Sequence, residues 1–243
     1  AREHATCLVI GPGTGLGVAG IFPGRLTASI AHEIRNPLGA ISHAAQLLQE
    51  SEELDGPDRR LAQIIQDHSR RMNLVIENVL QLSRRRQAEP QLLDLKYWLH
   101  RFASEFRQGL GPQQTLHLDT VGSSLQTRMD PNQLTQVLTN LVQNGLRYSG
   151  QQNPRAQVWL RLFRDEASDL PIVEVLDDGP GIAAEQLQNI FEPFFTTESK
   201  GTGLGLYISR ELCESNQARL DYRERPEGGS CFRIVFAHPR KLS

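Results

Sequence analysis

Two apolar stripes at helical spacing, separated by a single turn, constrain this chain more than any other feature. Leu26, Ile30, Ile34, Ile41, Ala45 and Leu48 recur at threes and fours, the period of one helix face. Asp55-Gly56-Pro57-Asp58 interrupts them with the composition of a turn and a helix start. Leu61, Ile65, His68, Met72, Val75, Val79 and Leu82 then form a second stripe. Two long helices around a short turn make an αα-hairpin. A lone hairpin cannot bury both stripes, so the pattern predicts a second copy of the chain and a four-helix bundle, with His68 in its core.

Arg84-Arg85-Arg86-Gln87-Ala88-Glu89-Pro90 reads as a linker, and residues 92–239 mix helices and strands. A helix is expected over Leu134–Leu146. Strands are expected over Ala156–Phe163 and Ile172–Leu176, a short helix over Gln186–Phe191, a helix over Gly205–Glu214 and a closing strand over Cys231–Phe236. Interleaving of this kind fits a two-layer α/β sandwich. The 243 residues suffice for two ordinary domains, and 39% apolar against 22% charged residues places the chain among core-forming proteins.

A net charge of −2 gives no general attraction to nucleic acid or membrane surfaces, so neither is expected as a partner. Cys7, Cys213 and Cys231 are odd in number and lack metal spacing, as expected of free thiols in a reducing compartment. No run reaches the roughly 18 apolar residues of a membrane span, and no signal peptide is evident. A cytoplasmic chain is expected, or the cytoplasmic part of a longer membrane protein. Residues 1–24 contain Gly11-Pro12-Gly13-Thr14-Gly15-Leu16-Gly17; a lone glycine-rich run is weak evidence for phosphate binding, and a linker or fusion remnant is favoured.

The first stripe carries His32-Glu33-Ile34-Arg35-Asn36-Pro37-Leu38. At about 100° per residue, His32 falls roughly opposite the stripe, on the solvent face, with Asn36 one turn on. Pro37 removes one backbone hydrogen bond and predicts a bend nearby. An imidazole with a pKa near 6.5 is about three-quarters neutral at pH 7. Glu33 can hold the Nδ1 proton, leaving Nε2 to attack a γ-phosphoryl group. Asn36 can position a water for the reverse hydrolysis. Taken singly, His32 would be an ordinary exposed histidine.

Further along, Asn140 and Asn144 lie at i and i+4 on one helix face. Their amide oxygens suit Mg²⁺, and Arg147 and Tyr148 follow one turn away, placed for phosphate or ribose. Val175-Leu176-Asp177-Asp178-Gly179-Pro180-Gly181-Ile182 runs a strand into a carboxylate and a glycine turn. Asp177 can accept a hydrogen bond from an adenine amino group while Gly179 and Gly181 let the backbone approach the base; a plain surface turn has similar composition. Phe191-Glu192-Pro193-Phe194-Phe195 anchors a polar stretch that ends in Lys200, and Gly201-Thr202-Gly203-Leu204-Gly205 opens a helix. Backbone N–H groups at such a start hold phosphate. The roughly twenty residues between the acidic turn and this loop suit a mobile lid.

In this order the five motifs closely resemble the sensor histidine kinases of two-component signalling, and the likeness spans about residues 25–237. The wording around His32 is most similar to kinases of nitrogen regulation and type IV pilus regulation. The resemblance implies an α+β chain: a helical-hairpin dimerisation and phosphotransfer domain at 25–89, then a Bergerat-type ATP-binding sandwich at 90–243. It implies that His32 accepts the γ-phosphoryl group of ATP, with Glu33 as acid/base partner and Asn36 assisting a phosphatase reaction. Asn144 would hold Mg²⁺ beside Asn140. Asp177 would read adenine, and Gly179, Gly181, Gly201, Gly203 and Gly205 would line the pocket. The implied partners are a second copy of the chain and the receiver domain of a response regulator, whose aspartate takes the phosphoryl group. Many relatives have Asn-Ala-x-Lys where this chain has Asn144-Gly145-Leu146-Arg147; arginine still pairs with phosphate, though the two cations are not interchangeable.

Three rivals share the pocket. A chaperone-like or repair-clamp ATPase leaves the histidine helix without a task. A serine kinase of the anti-sigma kind usually lacks the hairpin. A nucleotide-switched dimeric scaffold transfers no phosphoryl group.

Overall fold

The computed structural model describes the backbone of residues 24–51, 55–83, 88–120, 122, 124–198 and 201–238; side chains before Glu33, that of Leu74 and those of 77–83 lie outside the description. The glycine-rich segment and most of the 84–90 linker therefore lie outside the described residues. The chain divides into two compact units, with a boundary between Arg86 and Gln87.

The first unit is the hairpin. Helix α1 spans Gly24–Glu50 with Pro37 inside it, and α2 spans Gly56–Ser83. The turn chemistry does what its composition predicts: the Asp58 N–H donates to Asp55 Oδ1 at 3.1 Å, an N-terminal cap for α2. The helices face each other through Gln49 Nε2, which donates to Gln63 Oε1 at 2.9 Å. Among its described side chains the hairpin buries Leu38, Ala45, Ala62, Gln66 and Ser69. Of the described apolar stripe residues, Ile34 is 40%, Ile41 47%, Leu48 48%, Leu61 57%, Ile65 42% and Met72 50% exposed. His68, expected in a bundle core, is likewise exposed in the single chain.

The second unit is a helix layer on a mixed sheet. Strand β1 (Gln91–Asp94) pairs with β3 (Gln126–Met129) in a small antiparallel ribbon. The main sheet has the order β2-β4-β5-β7-β6, from Gln114–Thr120, Ala156–Arg164, Pro171–Asp177, Ser230–Val235 and Arg219–Glu224 respectively. Only β2 and β4 run parallel, and a parallel pair needs a crossover, supplied here through α4. Helices α3 (Leu95–Arg107), α4 (Pro131–Gln152) and α5 (Gly205–Ser215) contribute to one core. There Leu99, Leu138, Leu141 and Cys213 meet the inward residues Val158, Leu160, Val173, Val175, Leu220 and Ile234. The opposite sheet face carries a row of alternating charge, since register places Asp119, Arg161, Glu174, Arg233 and Asp221 side by side on successive strands. Arg233 Nε donates to Glu174 Oε1 at 3.0 Å within that row.

Local sequence explains the helix starts. Asp130 caps α4, its Oδ1 accepting from Asn132 N at 2.8 Å and Gln133 N at 3.2 Å. Asp94 caps α3, accepting from Tyr97 N at 3.1 Å. The expected helix at Gln186–Phe191 is absent: a single 3₁₀ turn, Ala184–Gln186, runs into turns, and Pro193 with the left-handed Phe194 (φ 67°) bars a helix from continuing beyond them.

Asn216 ties the helix layer together. Its Oδ1 accepts from Asp130 N at 2.8 Å, and its Nδ2 donates to Gln133 Oε1 at 2.6 Å and Leu212 O at 2.8 Å. Replacing it with alanine leaves a buried N–H without an acceptor, so Asn216→Ala should destabilise the chain by about 1–3 kcal/mol. Urea denaturation followed by circular dichroism measures this directly; a change below about 0.5 kcal/mol would show the bridge to be dispensable.

Candidate functional site

The centre of the second unit's chemistry is the end of β5. All seven residues of that strand are buried, so it delivers Asp177 into the interior, 3% exposed. Two backbone donors meet its Oδ1: Gly179 N at 2.9 Å and Ser230 N at 3.0 Å. Burial pushes the carboxyl above the ordinary carboxylate range, while these bonds and the Arg225 guanidinium pull the other way.

The glycines around it are required by close approach. A Cβ at Gly179 would stand 2.9 Å from the carbonyl carbon of Tyr148. Gly181 has φ +75°, and its Cβ would meet Gly229 O at 3.2 Å. At Gly145 a Cβ would lie 2.7 Å from Val158 Cγ2 and 3.4 Å from Asp177 Cβ, so α4 rests directly on the strand that ends in the carboxylate. An alanine here would need Val158 to turn aside. Ser149, on the same helix, donates its hydroxyl to Asp178 Oδ1 and accepts from Gln157 N at 2.8 Å. These contacts join α4, β4 and the glycine turn.

Helix α4 also reaches the second glycine loop. Asn140 turns its amide nitrogen to Gly205 O at 3.5 Å and Ser209 Oγ at 3.4 Å, so it positions the start of α5. Asn144 lies one turn on, with Oδ1 accepting from Arg147 Nη2 at 3.2 Å; Tyr148 is half-buried. Leu204 is fully buried and fixes the loop by packing. It stands before α5 without any side-chain cap, which leaves the helix start to backbone N–H groups, the arrangement that favours an anion. Gly203 has φ +68°, and a Cβ there would stand 2.4 Å from the backbone of Phe194. Gly201 and Thr202 are half-buried; Lys200 lies outside the described residues.

The structure thus gathers Asn140, Asn144, Arg147, Tyr148, Asp177, Gly179, Gly181 and the 203–205 loop around α4. The other expected group sits in the hairpin. His32, Glu33 and Asn36 are on α1, and the Glu33 and Asn36 side chains are exposed, while the His32 side chain lies outside the description. Sequence reasoning missed Arg225, Gly229 and Ser230. Gly228-Gly229 ahead of an alternating strand was the available signal.

Residues 24–88 match the family described as His Kinase A (phospho-acceptor) domain. Residues 129–240 match the Histidine kinase-, DNA gyrase B-, and HSP90-like ATPase family. The chain belongs to the sensor histidine kinases. It is 76% identical over 220 residues to the sensor protein kinase PilS of Pseudomonas aeruginosa, which covers 90% of this chain and 42% of that protein. It is 37% identical over 213 residues to the sensory histidine kinase/phosphatase NtrB of Rhodobacter capsulatus, covering 84% of this chain and 59% of that protein. Among solved structures it resembles the histidine kinase ThkA in complex with response regulator protein TrrA, with a TM-score of 0.62, 26% identity, and 90% of this chain and 63% of that one covered. The expected likeness to kinases of pilus and nitrogen regulation is borne out by PilS and NtrB. The chain spans only part of the length of these curated kinases.

One consequence concerns Gly229. It has φ +84°, and a Cβ there would fall 2.0 Å from the main-chain oxygen of Asp177, so no side chain fits without moving the backbone that carries the carboxylate. Gly229→Ala should weaken ATP binding by at least about tenfold, or ~1.4 kcal/mol, as read by titration with a fluorescent ATP analogue. Unchanged affinity would show that the β6–β7 loop does not set the pocket.

Proposed function

We propose that this chain is the kinase core of a longer membrane-bound sensor, that it phosphorylates itself on His32 from ATP, and that it passes the phosphoryl group to an aspartate of a response regulator receiver domain. The observation that carries this reading is the buried Asp177 carboxylate, framed by Gly179, Gly181 and Gly145, in a chain that also holds the phospho-acceptor family's helix pair. Among the described residues, no helix is long and apolar enough to cross a membrane; the membrane segment would belong to the part of the sensor beyond this chain, which spans 42% of PilS.

The residues present fit ATP and Mg²⁺. Asp177 offers an acceptor to the adenine amino group, the glycines leave room for a flat ring, and the uncapped start of α5 accepts phosphate. Among the described residues no cluster of three or more His, Cys, Asp or Glu could hold a metal by itself. Mg²⁺ would therefore rest on the Asn144 amide oxygen together with nucleotide phosphates, its usual mode of binding. Arg147, which occupies that oxygen here, would turn to phosphate.

Bound Mg-ATP supplies the γ-phosphoryl group, with its charge partly offset by the metal. Glu33 holds the Nδ1 proton of His32 and fixes the tautomer that leaves Nε2 unprotonated. Nε2 then forms the N–P bond as the bond from the γ-phosphorus to the bridging oxygen breaks and ADP leaves. Hydrolysis of the phosphorylated regulator would draw on Asn36 to orient water. The exposed apolar residues of the hairpin support the second copy: among its described side chains eight large ones stand at 40–57% exposure, and exposed apolar surface of this kind marks an interaction face.

Incubation with labelled ATP and Mg²⁺ should give an acid-labile, base-stable phosphoprotein. His32→Gln should abolish the label while leaving ATP binding within about twofold. Asp177→Asn should weaken ATP binding itself by about tenfold or more, since a charge-assisted hydrogen bond is lost. Acid-stable label, or label on the His32→Gln protein, would contradict histidine phosphorylation; unlabelled protein that still hydrolyses ATP would favour a plain ATPase.

A further inference from the structure

We propose that Arg225 is the positioning residue for adenine recognition: from outside the pocket it holds the main-chain carbonyl of Asp177 and thereby frees the Ser230 amide to hold the carboxylate. This rests on the reading of Asp177 as the adenine acceptor and names the device that sets it.

The sheet register shows why such a residue is needed. β5 and β7 pair from Ile172↔Val235 through Leu176↔Cys231, and there the pairing stops. One residue further, Ser230 should face Asp177 and donate to its main-chain oxygen. Its N–H goes instead to the side-chain Oδ1 at 3.0 Å. The diversion leaves the carbonyl of a residue that is 3% exposed without its ladder donor, and a buried carbonyl needs a partner. Arg225 Nη1 supplies it. The side chain is itself largely covered, at 20% exposure, and its Nη2 lies 3.5 Å from Glu227 Oε2, so both ends of the fork are engaged. Gly229 completes the arrangement, since the same oxygen lies where its Cβ would be.

Remove the guanidinium, and the simplest way to satisfy the carbonyl is for the Ser230 amide to swing back to it. Oδ1 then keeps one main-chain donor, Gly179, in place of two, and the Ser230 hydroxyl, which also bonds the carboxylate, moves with its backbone. Loss of Arg225 thus acts on the base-reading group and not on the phosphate loop, which α5 and Asn140 hold independently.

Charge gives a second handle. The charged and titratable groups packed around the Asp177 carboxylate are Arg225 from the β6–β7 loop, Tyr222 from β6, Cys231 beside Ser230 on β7, Asp178 next along the chain, and Tyr148 from α4, whose backbone lies against Gly179. Of these, the positive one is Arg225. Burial already raises the carboxyl, and Arg225 opposes this. Without it the carboxylate protonates at a higher pH, and adenosine affinity should begin to fall at a higher pH on the acid side.

The test measures the affinity of adenosine and of inorganic tripolyphosphate, each by displacement of a fluorescent ATP analogue, for the unmodified chain, Arg225→Gln, Arg225→Lys and Asp177→Asn. Arg225→Gln should weaken adenosine about tenfold, leave tripolyphosphate within about twofold, and shift the acid limb of adenosine binding upward. Arg225→Lys keeps the charge and one donor in place of a fork; it should lose about two- to fivefold with the acid limb unmoved. Equal losses for both ligands would mean a general structural role and overturn the proposal. So would an unchanged adenosine affinity in Arg225→Gln, or in Arg225→Lys if the glutamine variant does not fold. If Asp177→Asn itself keeps full adenosine affinity, it is the adenine reading that fails; if it loses affinity while the Arg225 variants keep theirs, only the role of Arg225 does.

Discussion

A carboxylate at 3% exposure is costly to keep charged, and the second unit is organised around doing so. Desolvation favours the neutral acid, and fixed donors oppose that preference. Asp177 receives one donor from its own turn and one from a strand 53 residues further on. Each brings a glycine requirement, because the donor must approach a backbone that other backbone already crowds. Gly179 meets Tyr148, Gly181 meets Gly229 and Gly229 meets Asp177. The glycine-rich wording of the turn is therefore a packing necessity around one buried, rigidly held acceptor at a strand end.

The same constraint explains how much of the chain could be read from its sequence. The hairpin, α4, β4, β5, α5 and β7 were legible because each carries its own period, helical or alternating, strong enough to stand without knowledge of its neighbours. β1 and β3 were not, at four residues each, since pairing gives them their identity. β6 reads Arg-Leu-Asp-Tyr-Arg-Glu, an edge strand whose polar outer face hides the alternation. Helix α3 had a stripe in Trp98, Leu99, Phe102 and Ala103 that went unread between unassigned segments. The short helix expected over Gln186–Phe191 is instead a 3₁₀ turn at Ala184–Gln186 followed by turns, which lead into the anchor where Phe194 takes a left-handed backbone against Gly203.

At the site, legibility followed sequence distance. Asp177, Gly179 and Gly181 share one turn, and Asn140 and Asn144 share one helix face, so residue types and spacing sufficed. Arg225 and Ser230 act on Asp177 from 48 and 53 residues away. No local pattern marks an arginine whose partner is a main-chain oxygen, because the acceptor is the same atom in every residue. Asn140 shows the converse. Its position was legible, but its amide nitrogen turns to the start of α5, a contact that only the packing of two helices reveals.

The two units divide their surfaces in opposite ways. The sandwich satisfies itself: its core is closed, and its outer sheet face is a row of opposite charges that pair across strands, an arrangement that stabilises the sheet and discourages edge-to-edge growth. The hairpin does not. Among its described side chains it buries Leu38, two alanines, a glutamine and a serine, while eight large isoleucine, leucine and methionine side chains stay exposed. An amphipathic helix pair with this much apolar surface exposed is suited to packing against another helix pair.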